Sequence, residues 1–140
     1  MIEEAYISQY ITDTFAEAET AKNFGYTFFF YGSNRKLPFA TLASSDNEND
    51  RVSNLDRANV FRLNIGVTKE TFHSLFGTDA VDTGSYDYTA LDRIMPHPHY
   101  APQHYICVLN PSEQTFERIK ALLGEAYELA RVRTARRRDD

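Results

Sequence analysis

Arg62, Asn64, His97, Tyr100 and His104 are the residues best suited by type and spacing to hold a ligand. In Phe61-Arg62-Leu63-Asn64-Ile65-Gly66-Val67, apolar residues alternate with Arg62, Asn64 and Gly66. That period of two predicts a strand with one dry face and one wet face. Arg62 and Asn64 then point the same way, and a guanidinium beside a carboxamide can hold a carboxylate, a phosphate or a peptide group. His97 and Tyr100 lie in a proline-rich stretch and His104 just beyond it, and any of them could join the pair if that stretch crosses the wet face. The competing reading is structural: Arg62 pairs with Asp56 or Asp92 and staples loops to the sheet.

Other chemistries find less support. His97-Pro98-His99 has the look of a chelating pair, but in polyproline II, with three residues per turn, positions i and i+2 diverge. Neither His-Glu-x-x-His nor a cysteine pair occurs, so no metal is expected. Asp46, Glu48 and Asp50 alternate like the start of a calcium loop. Arg51 and Arg57 then stand where such a loop needs Gly and a bidentate Glu, which disqualifies it. Cys107 sits inside an apolar strand, where a thiol stays protonated and inert. There is no Gly-x-Ser-x-Gly elbow and no glycine-rich phosphate loop, so no cofactor is expected. The enzyme alternative is hydrolase-type chemistry with His97 as general base, supported by Asp92.

The chain has 140 residues and a net charge of -5, with ten Phe, nine Tyr, no Trp and one Cys. One domain, 1–140, is expected, and a chain of this length buries roughly 70% of its unfolded surface. Residues 131–138 hold five Arg and no acid; residues 1–130 hold ten Lys and Arg against eighteen Asp and Glu, a net of -8. An acidic body weighs against nucleic acid as partner, and residues 131–140 read as a charged helix end or tail whose cations suit the helix dipole. Nucleic-acid binding through that Arg-rich C-terminus is the third functional reading. The start, Met1-Ile2-Glu3-Glu4, lacks the basic and apolar regions of a signal peptide, and no apolar run approaches ~18 residues. A cytoplasmic protein without a membrane partner is the expectation. A lone cysteine fits a reducing compartment.

These residues must be positioned by a small set of elements. Residues 2–15 read as an amphipathic helix through Ile7, Ile11 and Phe15. Residues 16–22 fit either more helix or an edge strand. Tyr26–Tyr31 is β-prone on both faces, Gly32–Lys36 is a turn, and 38–43 pairs back as a hairpin. A polar loop spans 44–54. Thr68 is an N-cap and Gly77 a C-terminal stop for a helix over 69–76. Residues 87–93 read as a helical turn and 95–102 as extended. Strands at 59–67 and 104–109 complete the sheet. Asn110-Pro111-Ser112-Glu113 predicts a helix capped by Asn110, with Pro111 at N1 and Glu113 at N3, running over 111–135. The expected fold is α+β: a mainly antiparallel sheet of four or five strands with the N- and C-terminal helices on one face.

Several stretches together resemble an uncharacterised bacterial family of about this length. They are Gly25–Phe30, Pro38-Phe39-Ala40-Thr41, Leu55-Asp56-Arg57, Phe61–Val67, Leu91-Asp92-Arg93 with Met95-Pro96-His97-Pro98, and Val108-Leu109-Asn110-Pro111. More distantly, His104–Val108 and Glu125-Ala126-Tyr127-Glu128-Leu129 resemble the MmcQ/YjbR-like proteins. That likeness implies a compact α+β fold and a proposed "double wing" nucleic-acid-binding role. The combined expectation is a non-enzymatic module for a small anionic or amide-bearing ligand, with Arg62 as charge partner, Asn64 fixing orientation, and His97, Tyr100 and His104 closing the site.

Overall fold

The computed structural model describes residues 2–139, with side chains through Arg137. The helix α1 (Glu4–Thr14) leads into β1 (Ala18–Asn23) and β2 (Tyr26–Tyr31), joined by a tight turn at Phe24-Gly25 where both residues have positive φ. The strand β3 (Ala40–Ala43) pairs back on β2; β4 (Arg62–Gly66), α2 (Lys69–Phe76), β5 (Met95–Pro96), β6 (Tyr105–Leu109) and α3 (Glu113–Asp139) follow. All the pairings are antiparallel, in the order β1-β2-β3-β4-β6-β5. The α+β class and the hairpin therefore stand, but the sheet has six strands rather than four or five. Residues 18–23 are the edge strand, which resolves the helix-or-strand ambiguity. The sixth is the two-residue β5, which exists only by pairing with β6.

The register divides the side chains between two faces. Leu63 and Ile65 of β4, Ala40 and Leu42 of β3, Phe29 of β2, and Ile106 and Val108 of β6 share one face. Ile7 and Ile11 of α1, Phe72 of α2, and Phe116, Ile119, Leu123 and Ala126 of α3 pack into the same core. The single apolar stripe on each terminal helix explains why both lie on that side. Burying each Leu, Ile or Phe contributes ~1.5–3 kcal/mol.

The other face is not wet. Arg62, Asn64, Thr41, Ala43, Cys107 and Leu109 occupy it, and two long connections, residues 44–60 and 86–104, lie over them. Ala43, Leu55, Tyr88, Met95, Cys107 and Leu109 form a second, smaller core there. All five residues of β4 are buried. The helical turn expected over 87–93 is absent; a short 3-10 turn occurs earlier, at Thr83–Ser85. The expected extended run over 95–102 lasts only through β5, and Ala101–Gln103 is a second 3-10 turn.

Capping is local where the sequence is unambiguous. Thr68 Oγ1 accepts from the Thr71 amide, and Gly77, at φ 89°, ends α2. Glu125 of α3 reaches the same helix start, accepting from the Thr68 amide at 3.0 Å and from the Thr71 hydroxyl at 2.5 Å. The cap of α3 differs from expectation. Ser112 Oγ accepts from the Thr115 amide at 3.2 Å, so the helix begins two residues after the Asn110 signal. Asn110 instead sits at positive φ, where its carboxamide accepts from the Phe61 amide at 3.0 Å and donates to the Asn59 carbonyl at 2.7 Å. It clasps the entry of β4 to the exit of β6. The charged C-terminal end is a continuation of α3 through Asp139; Asp140, the last residue of the expected tail, and Met1 lie outside the described residues. No helix among the described residues is long and apolar enough to cross a membrane.

Candidate functional site

Arg62 leaves β4 on the loop-covered face and is 0% exposed. A buried guanidinium requires a counter-charge and partners for its N–H groups. Asp50, from the 44–60 connection, supplies the charge through a short bidentate pair with Nη1 and Nη2. Ser53 Oγ accepts from Nη1 at 2.9 Å, and Asn64 Oδ1 accepts from Nε at 3.0 Å. Asn64 Nδ2 in turn donates to Thr41 Oγ1 at 2.9 Å, and the Tyr26 hydroxyl donates to Asp50 Oδ2 at 3.3 Å. These links tie β4 to the 44–60 connection through Asp50 and Ser53, to β3 through Asn64 and Thr41, and to β2 through Asp50 and Tyr26, so the network fixes that connection on the sheet.

The structural reading of Arg62 therefore holds in kind but with a different acid. Asp56 is occupied by the Asp46 amide, and Asp92 by the Ser112 amide. Burial alone would raise the Asp50 carboxyl, but the hydrogen bond and charge of Arg62 outweigh it and hold the carboxyl below its ordinary range. Burial likewise opposes the Arg62 charge, and Asp50 more than restores it.

A cavity of ≈ 1080 Å³ opens beside this network. Its floor is the sheet face: Tyr26 and Phe28 of β2, Thr41 of β3, Arg62 and Asn64 of β4, and Tyr105 of β6. Asn47, Asn49 and Asp50 form one wall; His97, His99, Tyr100, Pro102, Gln103 and His104 form the opposite one. Leu37, Pro38 and Arg133 close an end. All five residues singled out from the sequence line this one space, but their states differ. Arg62 and Asn64 are committed to protein partners. Tyr100 is exposed, with its ring 5.0 Å from that of His97. His104 ends a 3-10 turn at positive φ and packs its ring 5.5 Å from Phe72, so it stands at the rim.

His97 is 4% exposed, and its Nδ1 accepts two backbone amides, from His99 and Tyr100, each at 3.0 Å. Accepting at Nδ1 places the remaining proton of a neutral ring on Nε2. Nε2 has no protein partner among the described residues. Because no inaccessible side-chain nitrogen or oxygen among them lacks one, Nε2 reaches accessible space, and the cavity that His97 lines supplies it. Burial, reinforced by the Arg62 charge, drives the His97 pKa down to about 3. The ring is thus a neutral donor at ordinary pH.

One expectation is corrected by this geometry. The His97–Asp92 dyad is not formed: Nδ1 is taken by backbone amides, and Asp92 holds the start of α3. Sequence reasoning also passed over Asp50, Tyr26, Phe28 and Arg133. Asp50 was visible only as part of a failed calcium loop, while Tyr26 and Phe28 carried a usable signal, since alternate residues of a strand share a face. Cys107 is buried among apolar residues, and burial pushes its thiol up to about 12. Among the described residues, no three His, Cys, Asp or Glu side chains converge as a metal set would require.

No curated protein and no solved structure matches this chain. A family model does, over residues 2–139: with nearly its whole length matched, the chain belongs to the family of unknown function DUF6194.

Proposed function

We propose that this protein is a non-enzymatic binding module that takes a small ligand in the cavity between the sheet face and the 97–104 segment. The observation that carries the reading is the free Nε2–H of His97. A buried ring held in one tautomer by two backbone amides, with its last donor open to a cavity, is preorganised to meet an acceptor. Tyr26, Phe28, Pro38, Tyr100 and Tyr105 offer the apolar surface that sites for small molecules use. In this reading the Arg62–Asp50 pair and Asn64 are the rigid floor, and Arg62 is not the ligand's charge partner, because Asp50 already neutralises it. A binding role is favoured over general-base catalysis because a histidine with a pKa of about 3 is a very weak base near neutrality.

The test is a fragment screen by thermal shift and NMR on the wild type and on His97→Asn. Asn can keep an acceptor near the Nδ1 position, as in an Asx turn, while removing the Nε2 donor. Fragments that stabilise the wild type and lose most of that effect in the variant support the reading. A screen in which no fragment perturbs resonances of Phe28, His97 or Tyr100 overturns it.

A further inference from the structure

We infer that the ligand of this cavity is a planar aromatic monocarboxylate, with its carboxylate at Arg133, its ring on Tyr26 and Phe28, and a second oxygen at His97. The inference rests on the cavity being a ligand site and adds the class of ligand.

Charge selects the anion. The Asp, Glu, Lys and Arg side chains lining the cavity are Asp50, Arg62 and Arg133: one carboxylate against two guanidiniums. Asp50 and Arg62 cancel in their buried pair, which leaves Arg133. Among the described residues Arg133 has no carboxylate partner, whereas Arg131 on the same helix is tied to Glu128 at 2.5 Å. Arg133 lies near enough to Tyr105 to pull that hydroxyl's pKa down, although burial wins and holds it at about 12. A net positive lining on a chain of net charge -5 favours a ligand with one negative charge.

Shape selects the ring. Tyr26 and Phe28 stack on one another, 5.8 Å between ring centroids at an interplanar angle of 23°, and line the cavity as a pair of aromatic rings. Tyr105, on the same sheet face, lies 6.3 Å from Tyr100, which belongs to the opposite wall. A flat ring makes offset-stacked or edge contacts with such surfaces. At the inner end, the Nε2–H of His97 is a neutral donor, suited to a hydroxyl or carbonyl oxygen.

Isothermal titration with 6-hydroxy-2-naphthoate, its carboxamide and 2-naphthoate tests each part. On the wild type, the hydroxynaphthoate should bind at least about fivefold more tightly than the carboxamide, as a rim-exposed charge pair allows. Arg133→Met should abolish that preference, whereas an undiminished preference in the variant overturns the assignment of the carboxylate to Arg133. His97→Asn should abolish the advantage of the hydroxynaphthoate over 2-naphthoate. Equal affinities for acid and carboxamide on the wild type, with both displaced by Phe28→Ala, would overturn the anion assignment and leave the ligand site intact. Absence of binding by all three compounds overturns the ligand class, and the fragment screen then decides separately whether the cavity is a site at all.

Discussion

Replacing His97 by Asn should change how stability depends on pH as well as how the cavity binds. In the folded chain His97 has a pKa of about 3, and in the unfolded chain it returns to its ordinary 6.5. Between these values the unfolded state binds a proton that the folded state refuses, so stability rises with pH across that window and falls on acidification. From pH 7 to pH 5 the loss attributable to this ring is about 2 kcal/mol, at 1.36 kcal/mol per unit. For a chain of this length that corresponds to a fall in Tm of about 7 °C. The assay is urea unfolding at pH 7, 6 and 5, followed by tyrosine fluorescence and far-UV circular dichroism. The wild type should lose stability steadily over this range, and His97→Asn should lose about 2 kcal/mol less. The comparison cancels groups common to both proteins, including Asp50. That carboxyl has a lowered folded pKa, so its contribution is present above its unfolded value and disappears only at lower pH. Equal pH dependence in the two proteins would refute the buried, neutral assignment of His97.

Three further outcomes are expected from the packing. Asp50→Asn leaves the Arg62 charge buried without its counter-ion and should cost about 3–5 kcal/mol in denaturant unfolding, with Arg62→Met added in the same chain recovering part of the loss. Asn110→Ala should cost about 1–3 kcal/mol by orphaning the Phe61 amide and the Asn59 carbonyl, while Ser112→Ala should cost about 1 kcal/mol through the α3 cap. The reverse order, measured by chemical denaturation, would restore Asn110 as the cap. Gly66→Ala places a Cβ 2.9 Å from the Tyr105 ring. It should destabilise by about 1–3 kcal/mol and shift the tyrosine hydroxyl from its 2.7 Å bond to the Pro38 carbonyl, visible as a changed Tyr105 ring resonance.

What the sequence made legible was local. The alternation in β4, the Thr68 and Gly77 boundaries of α2 and the β2–β3 hairpin each depend on residues within a few positions of one another, where steric and capping rules act directly. The edge strand β1 was ambiguous because Ala, Glu and Lys favour helix, and pairing with β2 decided the outcome. No rule of propensity finds β5, whose two residues are a strand only because β6 lies beside them. Asn110 and Ser112 are both good caps, and the competing side-chain bonds to Phe61 and Asn59 settled which one caps. The candidate residues line one space, but the burial of Arg62 was not visible. Its counter-ion comes from a loop twelve residues upstream, and nothing in an alternating strand says that a loop will cover its polar side.

The ends of the sheet limit how this protein can grow. At one end, β5 is two residues long, Pro96 offers no amide, and its carbonyl is occupied by the Tyr88 hydroxyl at 2.7 Å. That end cannot template another strand. At the other, the six-residue β1 is the edge, and beyond the Ala18 amide, which donates to the Phe15 carbonyl, its outer side is open among the described residues. A sheet open at one end only can be extended once. Two copies meeting β1 to β1 would consume both free edges and close as a two-fold pair, whereas a fibre needs a second free edge that this topology does not provide.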